Sequence, residues 1–179
     1  MPDRRGQFEE FVELHGAALL RTATLLAGDR DRGQDLLQDA LERCLRRWPH
    51  ARVESPLAYV RTTMVHLLQR RRLDRILLRG DQVLDLHPAP GDDRGAFEDR
   101  QVLLGALRTL PPRQRAAVVL RYWEGYSEAE TAEILGCSVG TVKSQASRGL
   151  TKLRDQCAPH FPARTQSIPT MLTVTGELA

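Results

Sequence analysis

The stretch "SEAETAEILGCSVGTVKSQASRGLTKLR", residues 127–154, decides the fold of its half of the chain. Ser127 and Glu130 have the S-x-x-E spacing of a capping box, in which a hydroxyl and a carboxylate satisfy each other's helix-end amides. Gly136 is the left-handed stop expected at the end of such a helix. The pattern therefore predicts two helices joined by a short turn through Cys137 and Ser138, with the dimensions of a helix-turn-helix.

The second helix of this motif has two chemically different faces. Its apolar stripe consists of Val142, Ala146, Leu150 and Leu153. Short side chains on the other positions would let the backbone approach a DNA major groove, where Gln and Arg donors match base edges. Lys152 and Arg154 lie farther along, where they suit phosphates. A solvated amphipathic helix in a plain bundle remains the alternative. The outward or lateral set is Thr141, Lys143, Ser144, Gln145, Ser147 and Arg148.

The first 78 residues also follow helical periodicity. A first helix is predicted to end at Gly28 and Asp29, and a second to end at Pro49. A third begins at Ser55 and Pro56, an N-cap followed by proline at the first helical position. No strand signal of any length occurs, so the sequence predicts an all-α protein.

Two of these helices have polar faces that suggest partners. The second helix mixes signs on its outer face, through Asp35, Asp39 and Arg43 among others, and this favours a protein partner over DNA. The third carries Arg61 and Gln69 on one face, which suits a phosphate backbone. Either pattern is also explained by a solvent-exposed helix face on which oppositely charged side chains pair at i,i+4 spacing.

Charge and composition divide the chain into blocks. The net charge of +3 is the sum of +3 over residues 1–78, −3 over 79–100 and +3 over 101–157, with a neutral tail over 158–179. Prolines, glycines and aspartates make 79–100 a predicted flexible linker between two small domains. The tail contains three prolines and no helical period, so we expect it to be poorly ordered.

Several classes of function lack their sequence signals. The three widely spaced cysteines form no CxxC pair, which favours buried thiols in a reducing cytosol over a metal site. There is no Gly-rich phosphate loop, HExxH or G-x-S-x-G motif. The charged N-terminus is not a signal peptide, and no apolar run approaches the length of a membrane span. We therefore predict a cytoplasmic protein that is not an enzyme and needs no cofactor or metal.

The order of these segments resembles a known family. "DLLQDALERCLRRW" (35–48), "SPLAYVRTTMVHLLQRRR" (55–72), the acidic linker and "LPPRQRAAVVLRYWEGYSEAETAEILGCSVGTVKSQASRGLTKLR" (110–154) follow one another as in the extracytoplasmic-function sigma factors of bacterial RNA polymerase. The last segment is the most specific, and the resemblance covers about residues 8–155.

The resemblance implies two helical domains on a flexible linker, each with its own task. The N-terminal domain would bind the clamp of core RNA polymerase and read the −10 promoter element, and the C-terminal domain would read the −35 element. The implied partners are core RNA polymerase, at its clamp and flap regions, promoter DNA, and an anti-sigma factor.

Site residues follow from the resemblance position by position. The polymerase-binding set is Asp35, Leu36, Gln38, Asp39, Arg43 and Trp48. The −10 set is His50, Arg52, Ser55, Arg61, Thr62, Val65, His66 and Gln69. The −35 set is Thr141, Lys143, Ser144, Gln145 and Arg148.

The chain departs from the family pattern in two respects. His66 stands where the family commonly has Asn, and aromatic side chains near the −10 helix are few, Tyr59 and Trp48 being the clear ones. Two other functions stay open from the residues alone: a stand-alone helix-turn-helix regulator, and an interaction protein whose helices chiefly bind another protein.

Overall fold

The computed structural model describes residues 4–48, 55–77 and 94–160. Every regular element in these ranges is helical, which confirms the predicted all-α class. The chain divides into two compact units, Met1–Gln82 and Val83–Ala179. His50, Arg52 and residues 161–179 of the predicted tail lie outside the described residues.

The N-terminal unit contains three helices, α1 (Arg4–Ala27), α2 (Arg30–Arg47) and α3 (Pro56–Leu77). The predicted break between the first two is confirmed: Gly28 takes a φ of 88°, a conformation that favours glycine. The Asp29 carboxylate then accepts a 2.8 Å hydrogen bond from the amide of Arg32 and caps α2. A two-residue connection thus reverses the chain and allows α2 to pack along α1.

Close packing between α1 and α2 depends on a glycine. A Cβ atom built on Gly33 would lie 2.8 Å from the backbone of Thr24, so only hydrogen fits at this crossing. At the other end of the pair, the Trp48 ring packs edge-on against Phe8 at 5.2 Å between centroids and, tilted by 45°, against Phe11 at 5.5 Å. The core of the three helices is formed by the fully buried Leu19, Leu26, Leu36, Val60 and Met64.

The C-terminal unit contains α4 (Arg94–Thr109), α5 (Pro112–Val118), α6 (Glu128–Leu135) and α7 (Val139–Cys157). The predicted linker, residues 79–100, extends too far toward the C-terminus, because residues 94–100 form the first turns of α4. Gly95 and the charged residues of this segment made the helix difficult to recognise in the sequence. Ala, Glu, Arg and Gln in "RGAFEDRQ" are nevertheless good helix formers that continue into the apolar period beginning at Val102.

Helix α5 continues directly into a π-helical turn, Val119–Trp123, which sequence periodicity did not predict. The amide of Glu124 donates to the carbonyl of Val119 at 3.0 Å, and that of Tyr126 to Leu120 at 3.0 Å. Gly125, with a φ of 73°, then ends the element as expected. The widened turn therefore leads the chain toward the start of α6.

Helices α5 and α7 also meet at a glycine. A Cβ atom on Gly149 would lie 2.7 Å from Cγ2 of Val118 and 3.3 Å from the carbonyl oxygen of Gln114. The unit's core is completed by Leu107, Leu120, Val142 and Leu153, all with no exposed surface.

The cysteines occupy different environments. Cys44 and Cys157 are buried, and burial raises the pKa of both thiols, whereas Cys137 is half-buried in the turn before α7. A raised thiol pKa leaves little reactive thiolate, so these two side chains serve as small apolar groups. None of the helices in the described parts of the chain combines the length and apolarity needed to cross a bilayer.

Candidate functional site

The start of α6 forms the predicted capping box. The amide of Ser127 donates to Oε2 of Glu130 at 2.7 Å, and the amide of Glu130 donates to Oγ of Ser127 at 3.2 Å. The side-chain and backbone hydrogen bonds of Ser127 lower the pKa of the Glu130 carboxyl, with a smaller contribution from the charge of Arg121. At the other end, Gly136 adopts the expected left-handed conformation with a φ of 62°.

Arg121 stabilises the segment that leads into this box. Its guanidinium, on the π-helical turn, donates to the carbonyl oxygen of Tyr126 and lies 5.9 Å from the centroid of the Tyr122 ring. The carbonyl belongs to the residue immediately before Ser127. Arg121 thus holds the turn at a fixed position relative to the first helix of the motif.

The start of α7 has its own cap. The amide of Thr141 donates to Oγ of Ser138 at 3.2 Å, and the Ser138 and Thr141 hydroxyls are 2.9 Å apart. The predicted helix-turn-helix is therefore present, with both helix starts capped by serine and a glycine at the end of the first helix.

Helix α7 buries the predicted stripe, as Val142, Ala146, Leu150 and Leu153 all lie in the core. Gly149 and Cys157 lie there as well: the burial of Cys157 agrees with the predicted buried thiols, whereas that of Gly149 was not predicted. Of the predicted −35 residues, Lys143, Ser144 and Arg148 are exposed, and Thr141 and Gln145 are half-buried. All five therefore reach solvent on α7. The exposed surface also includes Ser147, Thr151 and Lys152.

Hydroxyl groups on this surface fold back onto the helix. Oγ of Ser144 donates to the carbonyl of Thr141 at 2.9 Å, and Oγ1 of Thr151 donates to that of Ser147 at 3.1 Å. These side chains consequently project little, and Arg148 and Lys152 stand beyond them. The result is a low surface with projecting cations, a shape that a DNA groove accommodates.

One ion pair connects the two helices of the motif. Nζ of Lys143 lies 3.3 Å from Oε2 of Glu128, with 61% of the lysine side chain and 38% of the glutamate side chain exposed. Sequence patterns could not predict this pair, because the two residues are fifteen positions apart on different helices. Lys143 is at the same time one of the predicted DNA-contacting residues.

Four members of the predicted polymerase-binding set reach the surface of α2. Asp35 and Gln38 are exposed, and Asp39 and Arg43 are half-buried. The amide nitrogen of Gln38 donates to a carboxylate oxygen of Glu42 at 3.4 Å, so side chains along this face interact at i,i+4 spacing.

Two members of that set play a packing role. The prediction for Leu36 is wrong as a surface contact: none of the residue is exposed, because α2 packs between α1 and α3 and buries two adjacent positions, Leu36 and Leu37. Trp48 is half-buried, and its indole packs against α1. Only its remaining surface is available to a partner.

An open apolar groove lies beside Gln38, and the sequence did not predict it. It has a volume of about 370 Å³, and Leu45 on its wall is 46% exposed. Gln34, Gln38 and Glu42 form its polar rim. The apolar lining comes from α1 and α2: Phe8, Leu20, Leu37, Leu41 and Leu45.

Four of the five predicted −10 residues on α3 reach the surface. His66 and Gln69 are exposed, and Arg61 and Thr62 are half-buried. Val65 is 1% exposed, which corrects its assignment: α3 contacts both α1 and α2, and Val65 belongs to the buried side. Ser55 accepts a 3.3 Å hydrogen bond from the amide of Ala58 and caps α3 as predicted.

Comparison with known protein families and relatives adds an independent line of evidence. The family model described as sigma-70, region 4 matches residues 100–153, which include α6 and α7 as far as Leu153. The RNA polymerase sigma-E factor of Streptomyces coelicolor is 39% identical over 156 residues, covering 84% of this chain and 85% of that protein. The ECF RNA polymerase sigma factor SigL of Mycobacterium tuberculosis (strain H37Rv) is 30% identical over 149 residues, covering 78% and 82%.

A solved structure is similar as well. The sigma factor RpoE of Bartonella quintana, crystallised in complex with the anti-sigma factor NepR, matches with a TM-score of 0.67 and 28% identity. The match covers 84% of this chain and 96% of that one. The similarity therefore extends over both helical units.

Proposed function

The chain belongs to the extracytoplasmic-function sigma factors of RNA polymerase, and we propose that it binds core RNA polymerase and directs it to a particular set of promoters. The observation that carries the proposal is the similarity to RNA polymerase sigma factors across both units. A stand-alone helix-turn-helix regulator would not account for the match over the N-terminal unit. The chemistry of RNA synthesis would belong to the polymerase, with this protein acting as a non-catalytic, cytoplasmic specificity subunit.

The C-terminal helix-turn-helix, within residues 101–157, would read the −35 element as duplex. A helix of this size fits the major groove, and the low hydroxyl surface of α7 lets its backbone approach the bases. Arg148 and Gln145 supply donors for base edges, and Lys152 is placed for phosphate. Thr141 and Ser144 contribute close contact, because their hydroxyls lie along the helix.

The predicted N-terminal domain, residues 1–78, would read the −10 element through α3. His66 and Gln69 are exposed there, with Arg61 and Thr62 beside them. The resemblance adds His50, Arg52 and Ser55 for capture of an unstacked base, a step that costs a few kcal/mol of stacking. Val65 would contribute only by holding α3 in place, because its buried side chain packs α3 onto the core of the unit.

Core polymerase would bind the polar face of α2 together with the neighbouring groove. Protein interfaces commonly combine an apolar centre with a polar rim. Leu41 and Leu45 on the groove wall provide the apolar centre, and Gln38, Asp39 and Glu42 provide the polar rim. The crystallised relative's anti-sigma partner supports an anti-sigma factor as a further ligand of this chain.

The deciding experiment is in vitro transcription on a fragmented genomic library with purified core RNA polymerase, with and without this protein. We expect discrete new start sites that share a pair of upstream elements. Specific retardation of DNA by the protein alone, without new start sites, would instead identify a repressor.

Two variants test the assignment of the units. Arg148→Ala should reduce initiation about tenfold or more at promoters that depend on the upstream element, since a good base contact contributes ~1–3 kcal/mol. Asp39→Ala should weaken binding to core polymerase and leave duplex binding unchanged. Asp31→Ala, an exposed acidic residue in the first turn of the same helix, is the charge-matched control for Asp39.

A further inference from the structure

We propose that Glu128 competes with the DNA backbone for Lys143 and thereby limits the affinity of the helix-turn-helix for non-specific duplex. The inference rests on the proposed function, because it concerns how the −35-reading helix meets DNA. Its structural basis is the 3.3 Å contact between Nζ of Lys143 and Oε2 of Glu128. The carboxylate neutralises this ammonium group and repels a phosphate that approaches it, so the two anions compete for one cation.

The contact withholds a large share of the positive charge on this face. Helix α7 has three exposed cations, Lys143, Arg148 and Lys152. Each phosphate that a protein neutralises releases condensed counterions and adds about 0.9 to the slope of log affinity against log salt. Removing one of three such contacts therefore affects non-specific binding strongly. Base-edge contacts made by Arg148 would be unaffected.

The position of Glu128 favours the competing contact. The residue lies in the first turn of α6, where the positive end of the helix dipole stabilises a carboxylate. Ser127 and Glu130 fix this turn through the capping box. Because both side chains remain partly exposed, the pair is weak and exchangeable. Exposed ion pairs of this kind shift an equilibrium by up to about fivefold, which suits a group that must yield to a correctly placed phosphate.

The test is a double-mutant cycle on the full chain. Wild type, Glu128→Gln, Lys143→Gln and the double variant are titrated against a fluorescent duplex of random sequence, from about 50 to 200 mM salt, the range in which phosphate contacts dominate. Glu133→Gln is the matched control, because it removes the same charge from an exposed position on the same helix. Thermal melts of each variant establish that the fold is retained.

We expect Glu128→Gln to tighten non-specific binding about two- to fivefold at the lowest salt and to steepen the salt slope by about one. This gain in affinity should vanish when Glu128→Gln is combined with Lys143→Gln. It should also be larger than the gain that Glu133→Gln produces.

Equal gains with and without Lys143, or an equal gain from Glu133→Gln, would overturn the inference and leave a general effect of net charge. Absence of duplex binding by every variant, even at the lowest salt and in holoenzyme, would instead overturn the DNA-reading function itself.

Discussion

The two helical units use the same device for close packing but present very different helices to solvent. Gly33 allows α2 to approach α1, and Gly149 allows α7 to approach α5. The buried residues of α7 form one stripe along the helix, in which Gly149 and Leu150 are the only adjacent pair, so its outer face is continuous. Helix α3 instead buries three consecutive residues, Thr63, Met64 and Val65. A buried stripe that follows the helical period can be assigned from sequence, whereas the burial of consecutive positions cannot.

The largest expected effect tests the packing of the N-terminal unit. Leu36→Ala should lower the free energy of unfolding by about 2–5 kcal/mol, because a fully buried leucine is replaced by a cavity. Urea denaturation followed by circular dichroism measures the loss. Gln38→Ala, two positions along on the exposed face, should change stability by less than about 0.5 kcal/mol. A stable Leu36→Ala variant that fails to bind core polymerase would restore the surface role that the resemblance assigned to Leu36.

The sequence predicted the C-terminal unit better for a physical reason. The capping box, Gly136 and the stripe of α7 are local signals whose meaning depends only on neighbours along the chain. Leu36 and Val65 were misassigned because their burial depends on a second packed helix. The same holds for Gly149, whose need for a bare Cα arises only when Val118 is brought against it.

The next effect compares the two glycine crossings directly. Gly33→Ala should destabilise the protein by about 1–3 kcal/mol, because its Cβ would meet backbone atoms of Thr24 that cannot rotate away. Gly149→Ala should also destabilise the protein, because its Cβ would lie 2.7 Å from Cγ2 of the buried, β-branched Val118 and 3.3 Å from the carbonyl oxygen of Gln114. Urea unfolding curves of both variants give the difference.

Gly105→Ala is the control for both glycines. The residue is exposed within α4, and nothing lies within 4 Å of its added Cβ. Alanine should therefore stabilise the protein by about 0.5–1 kcal/mol through helix propensity alone. A stable Gly33→Ala variant with the same gain would show that α1 and α2 separate easily and that their crossing does not require a glycine.

The smallest effect concerns the cap of α6. Ser127→Ala should lower the free energy of unfolding by about 1 kcal/mol and shift the melting temperature of the C-terminal unit, since an amide of the first turn loses its acceptor. Thermal melting of the full chain measures the shift. Ser55→Ala, which removes the corresponding cap of α3, shows whether the two units depend equally on their caps.

The capping box also predicts a dependence on pH. The hydrogen bonds from Ser127 lower the pKa of Glu130 in the folded protein. The stabilisation is therefore present above the ordinary glutamate pKa and is lost as the pH falls through the lowered value. Melts at neutral and acidic pH should show this loss in wild type and a smaller one in Glu130→Gln. Identical pH profiles for the two proteins would contradict the assignment.

The π-helical turn at Val119–Trp123 has a consequence for how the chain tolerates changes in length. A π turn holds one residue more than an α turn, so deleting a single residue there would restore regular α-helix while the chain downstream keeps nearly the same direction. Deleting one residue within a regular α-helix, by contrast, rotates everything downstream by about 100° about the axis. The π-helical turn is thus the place where this element can lose a residue with the least effect on the orientation of the recognition helix.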